Sequence, residues 1–347
     1  MKIAVVLFNL GGPDGPEAVR PFLSNLFCDP AIISLPALFR LPLGHFIAWR
    51  RAPVAREIYD KIGGGSPIVA QTMAQARGLQ TLLTAQGYEA KVVLAMRYWK
   101  PFAAEAAAQI RSFAPDEIVL LPLYPQYSTT TTASSLRDFG EAARRAGLKA
   151  PMHRVCCFPD QPGLVAAEIR LLRAALARRR GGLAYRVLFS AHGLPKRIVS
   201  RGDPYPDQVN KTVRAIVAGL GEEIEHVVCY QSRVGRLEWI GPATDAEIAR
   251  AGRDGMGVVV VPVAFVSEHS ETLVELDLEY KHLAQAAGVT DYIRVPTVGT
   301  APEFLEGLST LVQTALKGGE VVSSGPGRIC PQFCTGCGYG LDKGTGS

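Results

Sequence analysis

Eight short apolar runs, rich in β-branched residues, recur along the chain, and each is followed by enough residues for a crossover helix. They are KIAVVLFNL (2–10), AKVVLAMRYW (90–99), EIVLLPLYP (117–125), MHRVCCF (152–158), YRVLFSAH (185–192), HVVCYQS (226–232), GVVVVPVAFV (257–266) and YIRVP (292–296). Near-continuous apolar strands alternating with helical stretches predict parallel sheets covered on both faces. The runs divide into two sets of four that echo each other. The first strand of each set ends in a Gly/Pro turn, FNLGGP and FSAHGLP, and the third enters a polar helix start, LLPLYPQYSTTTT and VVPVAFVSEHSET. The pattern predicts an α/β protein of two similar Rossmann-like domains, each a four-stranded parallel sheet flanked by helices. Their shared cleft would be bordered by strand C-termini, where such sheets bind ligands. The expected units are residues 1–160, residues 161–320 and a cysteine-rich tail at 321–347, with a linker somewhere in Pro159 to Gly182.

The run at Gly257 leads into Ser267-Glu-His-Ser-Glu-Thr-Leu-Val-Glu-Leu-Asp-Leu-Glu-Tyr280, which reads as a helix leaving the strand's C-terminal end. At about 100° per residue, Glu268, Glu271, Glu275, Glu279 and His282 share one stripe, beside an apolar stripe of Leu273, Leu276, Tyr280 and Leu283. A row of carboxylates at a ligand crevice suits a divalent cation or a site that moves protons. It equally fits the wet side of a surface helix. His192 ends the fifth run, one connection away in space, and an imidazole there suits metal ligation or proton acceptance near neutral pH. The first half supplies Tyr124, Gln126, Tyr127, Ser128 and Thr129 to Thr132, with Arg97 and Tyr98. Aromatic and hydroxyl groups with an arginine suit a flat, apolar ligand with anionic edges, and the hydroxyl run also suits a self-capping helix start.

Ile32 to Trp49, IISLPALFRLPLGHFIAW, is apolar but interrupted by Pro36, Arg40, Pro42 and His45, and it falls short of the ~20 clean residues of a spanning helix. With Arg50-Arg51 after it, the segment reads either as an interfacial lip against lipid or a greasy ligand, or as a helix pair packed on the core. Gly63-Gly-Gly-Ser-Pro67 is wrongly spaced for a P-loop, and no G-x-G-x-x-G follows a strand, which disfavours nicotinamide and flavin chemistry.

Length and composition narrow the class. The 347 residues are 48% hydrophobic and 20% charged, as expected of a soluble protein with sizeable cores. A net charge of +5, without long basic runs, argues against nucleic acid. No secretory pattern opens the chain, so a cytoplasmic location is expected. Seven cysteines in that compartment are unlike a disulfide framework. Cys330, Cys334 and Cys337, spaced C-x3-C-x2-C, instead suit zinc or an iron–sulfur cluster, each needing a fourth ligand.

FNLGGP, IGGGSPI, MRYWKP, LYPQYSTTT-ASSL, FSAHGLP, RGDPYP, YQSRVG with W-I-GP-TD, and VAFVSEHSETLVELDLEY occur in order over nearly the whole chain. In these motifs the chain resembles the ferrochelatase family, whose members insert ferrous iron into a porphyrin as the last step of haem synthesis. The resemblance implies a class II chelatase fold with the porphyrin clamped between two halves. It implies metal binding or pyrrole-proton acceptance at His192, the opposing carboxylate at Glu271, and an acidic line through Glu275 and Glu279, with Glu268 and His269 flanking. It further implies porphyrin contacts at Tyr59, Arg97, Tyr98, Tyr124 and Ser128, and an apolar lip at residues 32–49 that admits porphyrin and touches membrane. The tail resembles that of ferrochelatases carrying a [2Fe–2S] cluster on three tail cysteines and one internal cysteine. Thr129 stands where the internal cysteine of the animal pattern would be, and the nearest replacement is Cys156 or Cys157 on the last strand of the first half, the resemblance not choosing between them.

The expected activity is therefore insertion of Fe2+ into protoporphyrin IX to form protohaem, by a cytoplasmic, peripherally membrane-associated lyase. Alternatives are a coproporphyrin III ferrochelatase, a cobalt chelatase, or a non-catalytic tetrapyrrole or metal carrier. Expected partners are porphyrin, ferrous iron and a membrane surface, with no nucleic acid; a homodimer is left open.

Overall fold

The computed structural model describes residues 1–233, 237–318, 321–325 and 327–339. Residues 340–347 of the expected tail, and Val234 and Gly235 of the YQSRVG motif, lie outside them. The elements run β1 (Lys2–Asn9), α1 (Val19–Phe27), α2 (Ala37–Asp60), α3 (Ile68–Ala85), β2 (Glu89–Met96), α4 (Ala103–Phe113), β3 (Glu117–Pro122), α5 (Thr132–Ala146), β4 (Met152–Cys157) and α6 (Pro162–Leu176). They continue with β5 (Tyr185–His192), α7 (Lys196–Val199), α8 (Tyr205–Leu220), β6 (Glu225–Gln231), α9 (Thr244–Arg253) and β7 (Gly257–Val261). A π-helix (Glu271–Glu279), α10 (Tyr280–Ala286), β8 (Tyr292–Arg294), α11 (Pro302–Gly318) and β9 (Val321–Ser323) complete the order.

Two parallel sheets result, ordered β2-β1-β3-β4-β9 and β6-β5-β7-β8. All eight expected strands are present. Strand β1 shows why they are legible in sequence: Ile3, Val5 and Leu7 pack into one core with α3, α6 and α11, while Ala4, Val6 and Phe8 pack into another with α4 and α5. A central strand with a helical layer on each side has no face to leave polar. Strand β5 repeats the arrangement, with Val187 and Phe189 on one side and Leu188 on the other.

The first sheet departs from expectation by holding five strands. Strand β9 pairs in parallel with β4, placing Ser323 opposite Cys157. Three residues are too few to register as a periodic run, and their role is to cover the edge of β4. Helix α11 packs with the first half, where Phe304, Leu308, Leu311 and Val312 join the core of β1 and β3. The chain therefore returns to its first sheet before the cysteine-rich segment.

The apolar segment near residue 40 forms one long helix, α2, instead of a helix pair. Pro42 and Pro53 lie inside it. Its inner side packs Ala48, Ala52 and Tyr59 against Val19, Phe22 and Leu23 of α1. The approach is close at Gly44, where a Cβ would stand 2.8 Å from both the Cys28 sulfur and the Phe27 carbonyl oxygen. Its outer side leaves Leu38 79% and Phe39 62% exposed, together with Phe46, Trp49 and Val54. No helix among the described residues is long and apolar enough to cross a membrane.

The halves are joined by buried polar contacts. Asp203 accepts hydrogen bonds from Ser128 Oγ at 3.0 Å, Thr129 N at 2.7 Å and Thr129 Oγ1 at 2.6 Å. Gln75 Nε2 donates to the carbonyls of Val266 at 2.8 Å and Gly299 at 2.9 Å. Tyr127 N donates to Gln208 Oε1 at 2.7 Å.

Candidate active site at the switch point of the second sheet

In the second sheet, the chain leaves β5 toward β6 and leaves β7 toward β8, on opposite sides. Open α/β sheets form their ligand crevice where connections diverge in this way. His192 is the last residue of β5, and the π-helix starts soon after β7, so the topology brings His192 and Glu271 together. His192 Nε2 lies 3.5 Å from Glu271 Oε1, and His269 Nε2 lies 3.5 Å from Glu271 Oε2. One carboxylate is held between two imidazoles.

Both nitrogens of His192 face acceptors, because Nδ1 lies 2.7 Å from the Gly193 carbonyl oxygen. Only the imidazolium donates to both. Burial among surrounding atoms favours the neutral ring, yet Glu271, the Gly193 carbonyl and Glu275 override it and push His192 up to about 9. The side chain nonetheless stays 39% exposed, so solvent and a ligand can reach it. Burial likewise disfavours the charged form of Glu271, and His192 and His269 outweigh it, holding the carboxyl well below its usual range. The proton acceptance near neutral pH expected of His192 therefore requires the ring first to release the proton it holds toward the carboxylate opposite.

Glu275 is wrapped by donors: Gln231 Nε2 at 3.1 Å, Ser232 N at 2.8 Å, Ser232 Oγ at 2.5 Å and Tyr280 OH at 3.0 Å. Burial and neighbouring Glu271 push it upward all the same. The segment is π-helical, with bonds to i+5 in place of i+4, a rare form concentrated at functional sites. Side chains satisfy carbonyls along it, with Gln231 Nε2 donating to Glu271 O at 3.0 Å and Tyr292 OH to Leu276 O at 2.8 Å.

The expected carboxylate stripe is only partly realised. Glu268 precedes the π-helix and is bound by Arg294 Nη1 at 2.6 Å and Thr297 N at 3.0 Å. Glu279 and His282 are exposed, and Glu279 lies 3.9 Å from Lys61 Nζ. Among the described residues, no three His, Cys, Asp or Glu side chains stand in metal-holding geometry, so neither the expected set of His192, His269, Glu271, Glu275 and Glu279 nor the expected thiol set of Cys156, Cys157, Cys330, Cys334 and Cys337 is a formed metal centre.

The porphyrin-contact candidates separate into two groups. Tyr59, at the end of α2, meets Ser270 and lies near Glu271, with burial pushing its phenol up to about 12. Arg97 and Tyr98 instead belong to a buried network around Asp29: Arg97 Nη2 is 2.7 Å from Asp29 Oδ2, Tyr98 OH donates to it at 2.8 Å, and Ser134 Oγ at 2.9 Å. Tyr124 is half-buried with its hydroxyl shielded from solvent, and burial pushes its phenol upward. Ser128 is directed to Asp203 as described.

The tail cysteines are buried and return to β4 through β9. Cys330 interacts with Cys157 and Cys337 and accepts a hydrogen bond from Gln208 Nε2 at 3.0 Å; these partners draw its thiol well below the ordinary range. Cys156 lies 3.2 Å from Cys157, one step further out. The tail also docks on the second half, where Gly336 N donates to Gly202 O at 3.0 Å. Gly202 adopts φ +90°, a backbone conformation that suits glycine.

Two parallel-sheet lobes, with an imidazole and a carboxylate facing each other at a switch-point crevice, define a chelatase architecture. The fold agrees with that of the sirohydrochlorin chelatase of Bacillus subtilis subspecies spizizenii, solved in complex with cobalt, at a TM-score of 0.53 and 12% identity over 92% of this chain and 97% of that one. Residues 2–316 match the family described as Ferrochelatase. The chain is 52% identical to the ferrochelatase of Caulobacter vibrioides over 332 residues, covering 95% of each, and 52% identical to that of Phenylobacterium zucineum over 336 residues, covering 96% of each. The chain belongs to the ferrochelatase family and is a metal chelatase of haem biosynthesis.

Sequence reasoning did not single out Gln231, Ser232, Asp29 or Asp203. The first two were within reach, since Gln231 ends the strand paired with His192 and Ser232 follows it.

Proposed function

We propose that this protein inserts ferrous iron into protoporphyrin IX, with His192 and Glu271 as the catalytic pair. The observation that carries the reading is the 3.5 Å approach of His192 Nε2 to Glu271 Oε1 at the switch point of the second sheet. Metallation needs two pyrrole protons to leave a ring whose nitrogens point inward, so a base must face the macrocycle and a dication must be admitted. An entering dication disfavours the imidazolium, because like charges repel. As the metal arrives His192 gives its proton to the Glu271 carboxylate opposite, and its freed Nε2 takes the first pyrrole proton. Glu271 hands its proton on to Glu275, whose raised proton affinity suits an acceptor; the second pyrrole proton follows the same route once Glu275 has released the first to water. His269 holds the second Glu271 oxygen, and Tyr59 closes the wall beside it.

The protoporphyrin assignment rests on helix α2. Its exposed Leu38, Phe39, Phe46 and Trp49 make an outward apolar face beginning one long helix away from Tyr59, suited to an apolar porphyrin drawn from a lipid surface. Arg50 and Arg51 beside it suit anionic headgroups. This supports an enzyme that meets the membrane surface peripherally.

The four thiols of Cys157, Cys330, Cys334 and Cys337 fit a [2Fe–2S] cluster by donor type and number, with Cys157 preferred to Cys156 because it meets Cys330. A bound cluster would cross-link the tail to β4, and Gln208 and Arg328 would steady the Cys330 thiolate.

The test is anaerobic. Protein is mixed with ferrous iron and either protoporphyrin IX or coproporphyrin III, and loss of porphyrin fluorescence is followed with appearance of the haem spectrum. Conversion of protoporphyrin supports the reading. Conversion of coproporphyrin alone keeps the chemistry and moves the substrate, and binding without metallation of either supports a carrier.

A further inference from the structure

Gln231 ends β6 with its side chain fully buried, in register with His192 on β5. Its backbone carbonyl accepts from Gly193 N at 2.9 Å, which fixes the chain directly after His192. Its amide nitrogen donates to Glu271 O at 3.0 Å and Glu275 Oε2 at 3.1 Å. Its amide oxygen accepts from Ser190 Oγ at 2.7 Å, and Ser190 Oγ in turn lies 2.9 Å from Thr244 Oγ1. Ser190 and Thr244 are also fully buried.

This chain of groups settles which way the amide points. A serine hydroxyl beside Oε1 and a carboxylate beside Nε2 are both satisfied in one orientation, and a flipped amide would set its oxygen against Glu275. One side chain thus grips the strand end carrying His192, the opening carbonyl of the π-helix carrying Glu271, and the next carboxylate along. Ser232 completes the grip on Glu275 from a left-handed backbone, φ 59°, which a non-glycine residue holds only when its surroundings demand it.

Building on the functional reading above, we propose that Gln231 is a positioning residue for metal insertion: it keeps the Glu271 carboxylate opposite His192 by holding the π-helix to the end of β6, with Ser190 orienting its amide. It touches neither porphyrin nor metal. Its loss therefore lowers turnover and leaves porphyrin binding alone.

The experiment compares wild type, Gln231→Met and Ser190→Ala for kcat, porphyrin KM and porphyrin affinity by fluorescence quenching, with melting temperature as the folding control. Gln231→Met lowers kcat about 10- to 100-fold with porphyrin KM and affinity unchanged, as expected when a reacting group is displaced by a fraction of its working distance. Ser190→Ala lowers kcat about fivefold, the effect of one hydrogen bond on the orientation of the amide. If Gln231→Met does not fold, Ser190→Ala decides alone. Unchanged kcat in the folded variants overturns the assignment, as does a fall in kcat matched by an equal loss of porphyrin affinity. A wild type without turnover sinks the functional reading itself, and this one with it.

Discussion

The Glu271 carboxylate lies 3.5 Å from His192 on one oxygen and 3.5 Å from His269 on the other, so two imidazoles, one ending β5 and one in the loop before the π-helix, share one acid. The pairing ties stability to pH in both directions. Glu271 sits below its ordinary 4.5, so its contribution is present above that value and fades as pH falls. His192 sits above its ordinary 6.5, so its contribution is complete below that value and is lost as pH rises through about 9. The difference in melting temperature between wild type and Glu271→Gln should be greatest between about pH 5 and 7 and shrink above pH 9. A difference that is flat from pH 5 to 10 would rule out the ion pair.

Asp203 gathers Ser128 and Thr129 from the first half onto the start of α8. Hydrogen bonds to a buried carboxylate contribute more than neutral ones, and Asp203→Asn should cost about 3 kcal/mol. Chemical denaturation checks this, and a cost under about 0.5 kcal/mol, the range of ordinary surface changes, would remove Asp203 as a bridge.

Leu38→Glu combined with Phe39→Glu changes two side chains exposed to solvent, so folding stability should hold within about 0.5 kcal/mol. Sedimentation with anionic lipid vesicles should fall sharply. Undiminished sedimentation would place the lipid contact elsewhere.

Cys334→Ser should bleach the visible absorbance of the as-isolated protein, since three thiolates cannot complete a four-sulfur [2Fe–2S] site. A colourless wild type containing zinc by elemental analysis would replace the cluster with a structural metal.

Much of this architecture was legible because buried parallel strands leave a continuous apolar signature, and because His192 and Glu271 follow strands that are adjacent in the sheet. Strand β9 was not, since three residues carry no period. The π register was invisible, because α- and π-helices draw on the same residues and differ only in which carbonyl each amide meets. Glu268 looked like a member of the carboxylate row until β8 delivered Arg294 to it. Arg97 looked like a free hook for an anion, but a loop between α1 and α2 supplies Asp29 to neutralise it. Such pairings depend on loops far apart in sequence, which hydrophobic periodicity does not record. For the same reason the cysteine motif revealed its three tail thiols but not which thiol of β4 meets them.

The central claim is that Glu271 and His192 form the working pair. It is tested most directly by single-turnover metallation of enzyme-bound protoporphyrin with ferrous iron at pH 7, comparing wild type with Glu271→Gln and His192→Ala. The account predicts that all three bind porphyrin alike and that each variant metallates at least about 100-fold more slowly. Metallation at the wild-type rate by either folded variant would contradict it.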